Sequence, residues 1–246
     1  MKNIRLLTIS FFLLAIALFS ACKKENRCDC IKRTGDIVVD TRNISGFDRV
    51  YVENNINVFI AQDSVFDVRV EAGENVVSLI TTELENNTLH IRNKNRCNWT
   101  RSYKKPLNVY LRMPKLVYIT SDGTGDIKSL NTLLSDTIDV QTMNSGNVEL
   151  SVSNLRTRTH MFGSGDITLS GNTDEHDISI GGTAYIYAGE LKTNYTYLHT
   201  FTLGTSYVNA RDLLICVIDE KGDIYCSGNP ARVEKYQNAS GTLYLQ

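Results

Sequence analysis

Proline is scarce in this chain, at three residues in 246, and no low-complexity stretch divides it, so the sequence offers no obvious linker between domains. Net charge is also missing. The 26 basic residues nearly cancel the 27 acidic ones, which argues against a nucleic-acid-binding role. Outside the N-terminus, apolar residues rarely keep a helical spacing, which excludes an all-helical protein. The four histidines, His90, His160, His176 and His199, show neither metal-ligand spacing nor a neighbouring nucleophile. No residues are therefore assigned as catalytic, cofactor-binding or metal-binding, and no cofactor is expected.

What is present begins with an address. Lys2 and Arg5 precede an apolar run from Leu6 to Phe19, which reads as a signal peptide over residues 1–21. The run is too short for a comfortable membrane span. It ends in Leu18-Phe19-Ser20-Ala21-Cys22, which resembles the lipobox of bacterial lipoproteins, although Phe19 stands where Leu is preferred. Cleavage after Ala21 would leave Cys22 as the lipid-attachment residue and the lipid anchor as the link to the membrane. Residues 22–43 then form a lipidated N-terminus and tether. The absence of Asp after Cys22 resembles lipoproteins sent to the outer membrane, facing either the periplasm or the cell surface.

The remainder, residues 44–246, carries a rhythm. A small residue, a short polar residue and a large one recur at anchors Gly125, Gly146, Gly165, Thr183, Thr205, Gly222 and Gly241, about nineteen residues apart. A period near twenty is the signature of a solenoid whose coils bury their apolar faces only against one another. The expected fold is all-β, a right-handed parallel β-helix-like solenoid, preferred over an antiparallel sandwich because the self-similar unit is longer than a strand and its turn. Counting two places on from each anchor puts Ile127, Val148, Ile167, Tyr185, Tyr207, Ile224 and Leu243 inside. The same count puts Thr168, Ile186, Val208, Tyr225 and Tyr244 outside.

Asp126, Asp166 and Asp223 share one repeat position. In stacked coils Asp126 and Asp166 would lie about 9 to 10 Å apart, near the upper end of the carboxylate separation in inverting glycosidases. The equivalent positions hold Asn147, Ala184, Ser206 and Thr242, however, which is the vocabulary of a turn, so the aspartates read as corners. A calcium-binding nonapeptide repeat is excluded by the period. With Cys22 lipidated, Cys28, Cys30, Cys97, Cys216 and Cys226 remain, and an odd number cannot pair completely within the chain. Cys28-Asp29-Cys30 lacks the spacing of a zinc module. Cys226 falls at an inward position and reads as a small buried hydrophobe.

Several segments in order resemble the family called putative auto-transporter adhesin, head GIN domain, found in envelope lipoproteins of Gram-negative bacteria. They are Gly46-Phe47-Asp48-Arg49-Val50-Tyr51-Val52, Ile56 to Ile60, Val68 to Asn75, Leu89 to Arg92, Val109 to Leu116 and the corner Gly163-Ser164-Gly165-Asp166-Ile167. The segment from Asn93 to Lys105, with Cys97 and Trp99, departs from the pattern. The resemblance implies a β-helix-like fold, an envelope location and no catalytic residues to carry over. The expected function is that of a lipid-anchored, non-catalytic solenoid acting as an adhesin or ligand-binding module, with a glycan or a protein as the open choice of ligand. A polysaccharide-active enzyme and a purely structural envelope component are the alternatives.

Overall fold

A computed structural model describes residues 32–95 and 105–246. The signal peptide, Cys22, Cys28, Cys30, Cys97 and Trp99 lie outside the described residues. Within them, apart from a 3-10 turn at Val77–Leu79, the regular elements are all strands. Among the described residues no helix is long and apolar enough to cross a membrane.

The body is a stack of parallel coils. Its centre is formed by β12 (Val148–Met161), β13 (Ile167–Gly182) and β14 (Ile186–Thr202), which lie in parallel register, Val148 on Ile167 and Ile167 on Ile186. Each of these long strands contributes to two faces. On the first face their leading halves continue through β15 (Ser206–Asn209), β17 (Ile224–Ser227) and β19 (Leu243–Leu245) in one direction. In the other direction lie β9 (Ile127–Ser129), β3 (Asn57–Gln62) and β7 (Asn108–Met113). On the second face their trailing halves continue through β16 (Leu213–Ile218) and β18 (Arg232–Gln237). The other direction holds β11 (Thr137–Thr142), β8 (Tyr118–Gly123), β2 (Arg49–Asn54) and β6 (Thr88–Asn93). A short β10 (Leu133–Leu134) pairs with the middle of β12, where the coil passes between faces.

Stacking order departs from chain order near the N-terminus. The β2–β3 coil is inserted between the later β6–β7 and β8–β9 coils, since β2 pairs with both β6 and β8, and β3 with both β7 and β9. Antiparallel strands close this end. β5 (Ile80–Glu85) pairs with β6, β4 (Asp67–Gly73) with β7, and β1 (Ile37–Arg42) with β4. β5 and β6 are joined by Asn86 and Asn87, both at positive φ, 49° and 62°. Two such residues make the two-residue hairpin turn whose twist matches antiparallel strands, and Asn tolerates that conformation better than most side chains. Since β1 occupies 37–42, part of the segment read as tether belongs to the folded body.

The core is a set of aligned columns. Parallel in-register stacking gives each inward side chain a counterpart one coil above and below, so alternation along a strand becomes a ladder across coils. One column runs Ile127, Val148, Ile167, Ile186, Ser206, Ile224 and Leu243. All are buried except Leu243, which is partly covered on the last coil.

This column corrects the sequence register in two coils. Tyr185 and Tyr207, expected inside, are 40% and 37% exposed, whereas Ile186 and Val208, expected outside, are fully buried. The paired residues place the true corners two positions earlier, at Gly125, Gly146, Gly165, Ala184, Gly204, Gly222 and Gly241. Thr183 and Thr205 are thus the flanking residues, one too early and one too late. The displaced anchors made the repeat look less regular than it is. Glycine is needed because the backbones nearly touch: a Cβ on Gly165 would stand 2.2 Å from the Gly146 carbonyl oxygen, and one on Gly204 2.0 Å from that of Ala184.

Candidate functional site

The polar residue beside each corner has a structural task. The Asn57 Oδ1 accepts from the Asp126 backbone N–H at 3.1 Å, and the Asp126 Oδ1 accepts from the Asn147 N–H at 3.1 Å. The Asn147 Oδ1 accepts from the Asp166 N–H at 3.0 Å, and the Asp166 Oδ1 from the Tyr185 N–H at 2.9 Å. Asp223 repeats the contact on Thr242 at 2.8 Å. Each side chain therefore satisfies a backbone donor of the adjacent coil, which is why Asp and Asn interchange here. Asp126 and Asp166 are separated by the intervening Asn147 rung. One oxygen of each is committed to the corner, and the Oδ2 atoms have no hydrogen-bond partner among the described residues.

The outward residues of the first face form a single column across ten strands. Pair by pair it runs Arg69, Tyr110, Phe59, Lys128, Glu149, Thr168, Tyr187, Tyr207, Tyr225 and Tyr244. Aromatic rings occupy both ends. Tyr187, Tyr207, Tyr225 and Tyr244 are stacked in succession, with centroids 5.5, 5.3 and 4.8 Å apart. Phe59 stacks on Tyr110 at 5.1 Å, and the Arg69 guanidinium lies 5.9 Å from the Tyr110 centroid. These spacings follow the strand separation, so the backbone register itself dictates the ring stacking. Burial among neighbours, followed by the nearby Asp166 carboxylate, raises the phenol of Tyr187 above its ordinary value.

Between the two aromatic blocks the column drops to Lys128, Glu149 and Thr168. There the surface opens into a cleft of about 420 Å³. Phe59 and Tyr187 stand at its ends, and Asn57, Asp126, Asn147 and Asp166 form one margin. On the floor, Lys128 Nζ donates to both carboxylate oxygens of Glu149 at 2.8 Å. That pair is self-neutralising, which leaves Asp126 and Asp166 as uncompensated negative charge. β14 carries an irregularity beside the cleft, where the pairing with β13 shifts between Thr168 and Ser170. Such bulges re-aim neighbouring side chains, here just after Tyr187.

The second face is different in character. Its charges are paired across coils, Arg158 with Asp139 at 3.2 Å and Arg156 with Glu175 and Asp177. The Tyr51 hydroxyl donates to Asp122 at 2.8 Å, and burial together with that carboxylate pushes its pKa up to about 12. The histidines are dispersed. His176 is buried, its Nε2 2.9 Å from the Thr159 hydroxyl, and burial pushes its pKa down to about 3. His199 contacts Asp219 at 2.6 Å on the surface, and His90 packs beside Tyr51. Among the described residues no three His, Cys, Asp or Glu side chains are grouped to hold a metal ion. Cys216 and Cys226 are free thiols in the interior, and burial raises both pKa values to about 11.

The aromatic column was not seen in the sequence. Its four tyrosines keep the repeat spacing, but anchoring on Thr183 and Thr205 scattered them between inside and outside. Phe59 and Tyr110 carried no such signal, because the insertion of β2–β3 into the stack is invisible along the chain.

Fold and surface together define a class, a parallel β-solenoid with an aromatic-flanked cleft along one outer face. The chain belongs to the family described as "Putative auto-transporter adhesin, head GIN domain", whose model matches residues 46–230. Among solved structures it is similar to a putative adhesin from Bacteroides fragilis, with a TM-score of 0.82 and 20% identity, covering 87% of this chain and 100% of that one. A putative adhesin from Parabacteroides distasonis matches with a TM-score of 0.67, 20% identity and the same coverage of both chains. A putative lipid binding protein from the same species gives 0.66, 20% identity, 87% and 100%. At these identities the likeness shows the fold alone. No curated protein matches the sequence.

Proposed function

We propose that this chain is a lipid-anchored protein of the bacterial cell envelope whose solenoid works by binding, not catalysis, and presents its first face to a ligand outside the membrane. The observation that carries the reading is the outward column, in which stacked aromatic rings flank an open cleft and Tyr187, Tyr207 and Tyr244 stay exposed among the described residues. Exposed aromatic surface on a rigid scaffold is a common feature of recognition sites. Membership of an adhesin-named family supports the same reading. The sequence at Leu18 to Cys22 supports the anchor, and the solenoid supplies the stiff body that an adhesive module requires.

Catalysis by the Asp126 and Asp166 pair is disfavoured because each holds a backbone N–H of the adjacent coil. An acyl chain is a poor occupant, since the cleft floor carries Lys128 and Glu149. In intact cells, externally added protease is expected to remove the body of the protein, and Cys22→Ser is expected to abolish lipid labelling and release the chain from the membrane fraction. Retained label in the variant would refute the anchor. Complete protection in intact cells but not in lysates would refute surface presentation. Release of reducing ends from envelope or plant glycans, lost in Asp126→Asn and Asp166→Asn, would overturn the non-catalytic reading.

A further inference from the structure

We infer that the cleft between Phe59 and Tyr187 is the binding site for a short neutral oligosaccharide, lying along the stacking axis with a sugar ring against each aromatic wall. The inference rests on the binding role proposed above and specifies its ligand. Geometry comes first. Tyr110 covers the far side of Phe59, and Tyr207 covers the far side of Tyr187, with Tyr185 of the same coil parallel to Tyr187 at the longer centroid distance of 6.2 Å. In the column order, the remaining side of each ring turns toward the Lys128, Glu149 and Thr168 floor. Two ring faces therefore look into one cleft from opposite ends, four ladder steps apart, about 19 Å at the usual strand separation. A single small molecule cannot engage both, whereas a short linear chain can.

The chemistry of the lining then selects the class of chain. An aromatic face is electron-rich, and the C–H faces of a pyranose ring are its complement. Between the walls the lining is hydrogen-bonding rather than greasy. The free Oδ2 atoms of Asp126 and Asp166 accept from hydroxyl groups, and Thr168 and the Lys128–Glu149 pair offer donors and acceptors along the floor. A peptide would bring its own apolar side chains to a cleft that has apolar walls only at its ends. Charge narrows the choice further. Three carboxylates, Asp126, Glu149 and Asp166, face one ammonium, that of Lys128, so uronic or sialic acids would meet repulsion. The volume, about 420 Å³, lies within the ~300–1,000 Å³ range of small-ligand sites.

The frame favours pre-organisation. Rings locked by stacking and margins locked by the corner ladder lose little freedom when a ligand arrives. No coil has to move to open the site.

The experiment uses the full chain in detergent, titrated calorimetrically with neutral gluco-, manno- and galacto-oligosaccharides. Uronic-acid oligomers, short peptides and phospholipid vesicles serve as the other arms. Saturable binding of a neutral oligosaccharide is expected, at least tenfold weaker for Tyr187→Ala and for Phe59→Ala, and abolished by Thr168→Trp, which fills the floor from an outward position. Tyr236→Ala, exposed on β18 of the second face, is expected to bind as the parent does, and unchanged melting curves identify variants that remain folded. Binding of peptides, vesicles or acidic glycans in place of neutral ones overturns the inference, as does undiminished binding in folded Thr168→Trp. Adhesion of cells to glycan-coated and protein-coated surfaces separates the two levels. Adhesion that is lost on deleting the chain but kept by Thr168→Trp sinks the cleft and leaves the adhesive role standing. Adhesion unchanged by deletion sinks the adhesive role, even if the purified chain binds sugar.

Discussion

Ser206 interrupts an otherwise aliphatic column, and deleting its hydroxyl should stabilise the protein. The residue is fully buried between Ile186 and Ile224, and its Oγ has no hydrogen-bond partner. An unpaired buried polar group costs about 1–3 kcal/mol of desolvation. Ser206→Ala removes that cost and keeps the Cβ, so a gain of about 1 kcal/mol is expected after allowing for the small void left behind. Thr202 supplies the contrast. Its hydroxyl is also buried, but it donates toward the Gly182 carbonyl at 3.1 Å and accepts from the Gly204 N–H at 2.9 Å. Thr202→Val leaves the buried Gly204 N–H unpaired, while the Gly182 carbonyl keeps the Leu203 N–H, and should cost about 1–3 kcal/mol. The same chemical deletion, four residues apart, is thus expected to act with opposite signs. Urea unfolding followed by far-UV circular dichroism measures both, and a domain of this size shifts its midpoint by roughly 2–4 °C per kcal/mol in a thermal scan. Ser206→Ala less stable than the parent by more than about 0.5 kcal/mol would refute the reasoning, because it would mean that the hydroxyl is satisfied.

Two further outcomes test the coil register and the buried titratable group. Ile167→Ala, fully buried on β13, should cost about 2–5 kcal/mol, while Thr168→Ala, outward on the same strand, should stay within about 0.5 kcal/mol; equal losses at both would contradict the register. Burial holds the His176 pKa at about 3 in the folded state, against about 6.5 for an ordinary histidine, so between those values the unfolded chain binds the extra proton. Stability should accordingly be unaffected by this group above pH 6.5 and fall as pH drops toward 3, by up to about 1.4 kcal/mol per unit. Comparing urea midpoints at several pH values with those of His176→Leu isolates that slope, and parallel pH profiles would show that His176 is not the cause.

The parts of this fold that could be read in advance were those written locally. Alternating apolar residues around Ile167 and Leu169 specify a half-buried strand, and glycine recurring near nineteen residues specifies coils whose backbones approach closely. The replacement of Asp by Asn within the repeat was enough to read Asp126 and Asp166 as corner residues, as their bonds to the next coil bear out. Register failed where the local cue was ambiguous. Thr183 and Thr205 mimic corners, but a one-residue slip exchanges every inward and outward side chain, as it did for Tyr185 and Ile186. Packing decides such cases, because only one register keeps Ile186 and Val208 in the apolar columns.

By itself, then, the sequence determined an all-β chain of stacked coils, the residues that bend it and the family to which it belongs, since each depends on spacing along the backbone. Tertiary structure alone decided which rings stand together. The insertion of β2–β3 into the stack brings Phe59 beside Lys128, 69 positions later, and so creates a cleft whose opposite wall is Tyr187. Pairing between parallel strands is set by the burial of whole coils against one another, a condition no local spacing records.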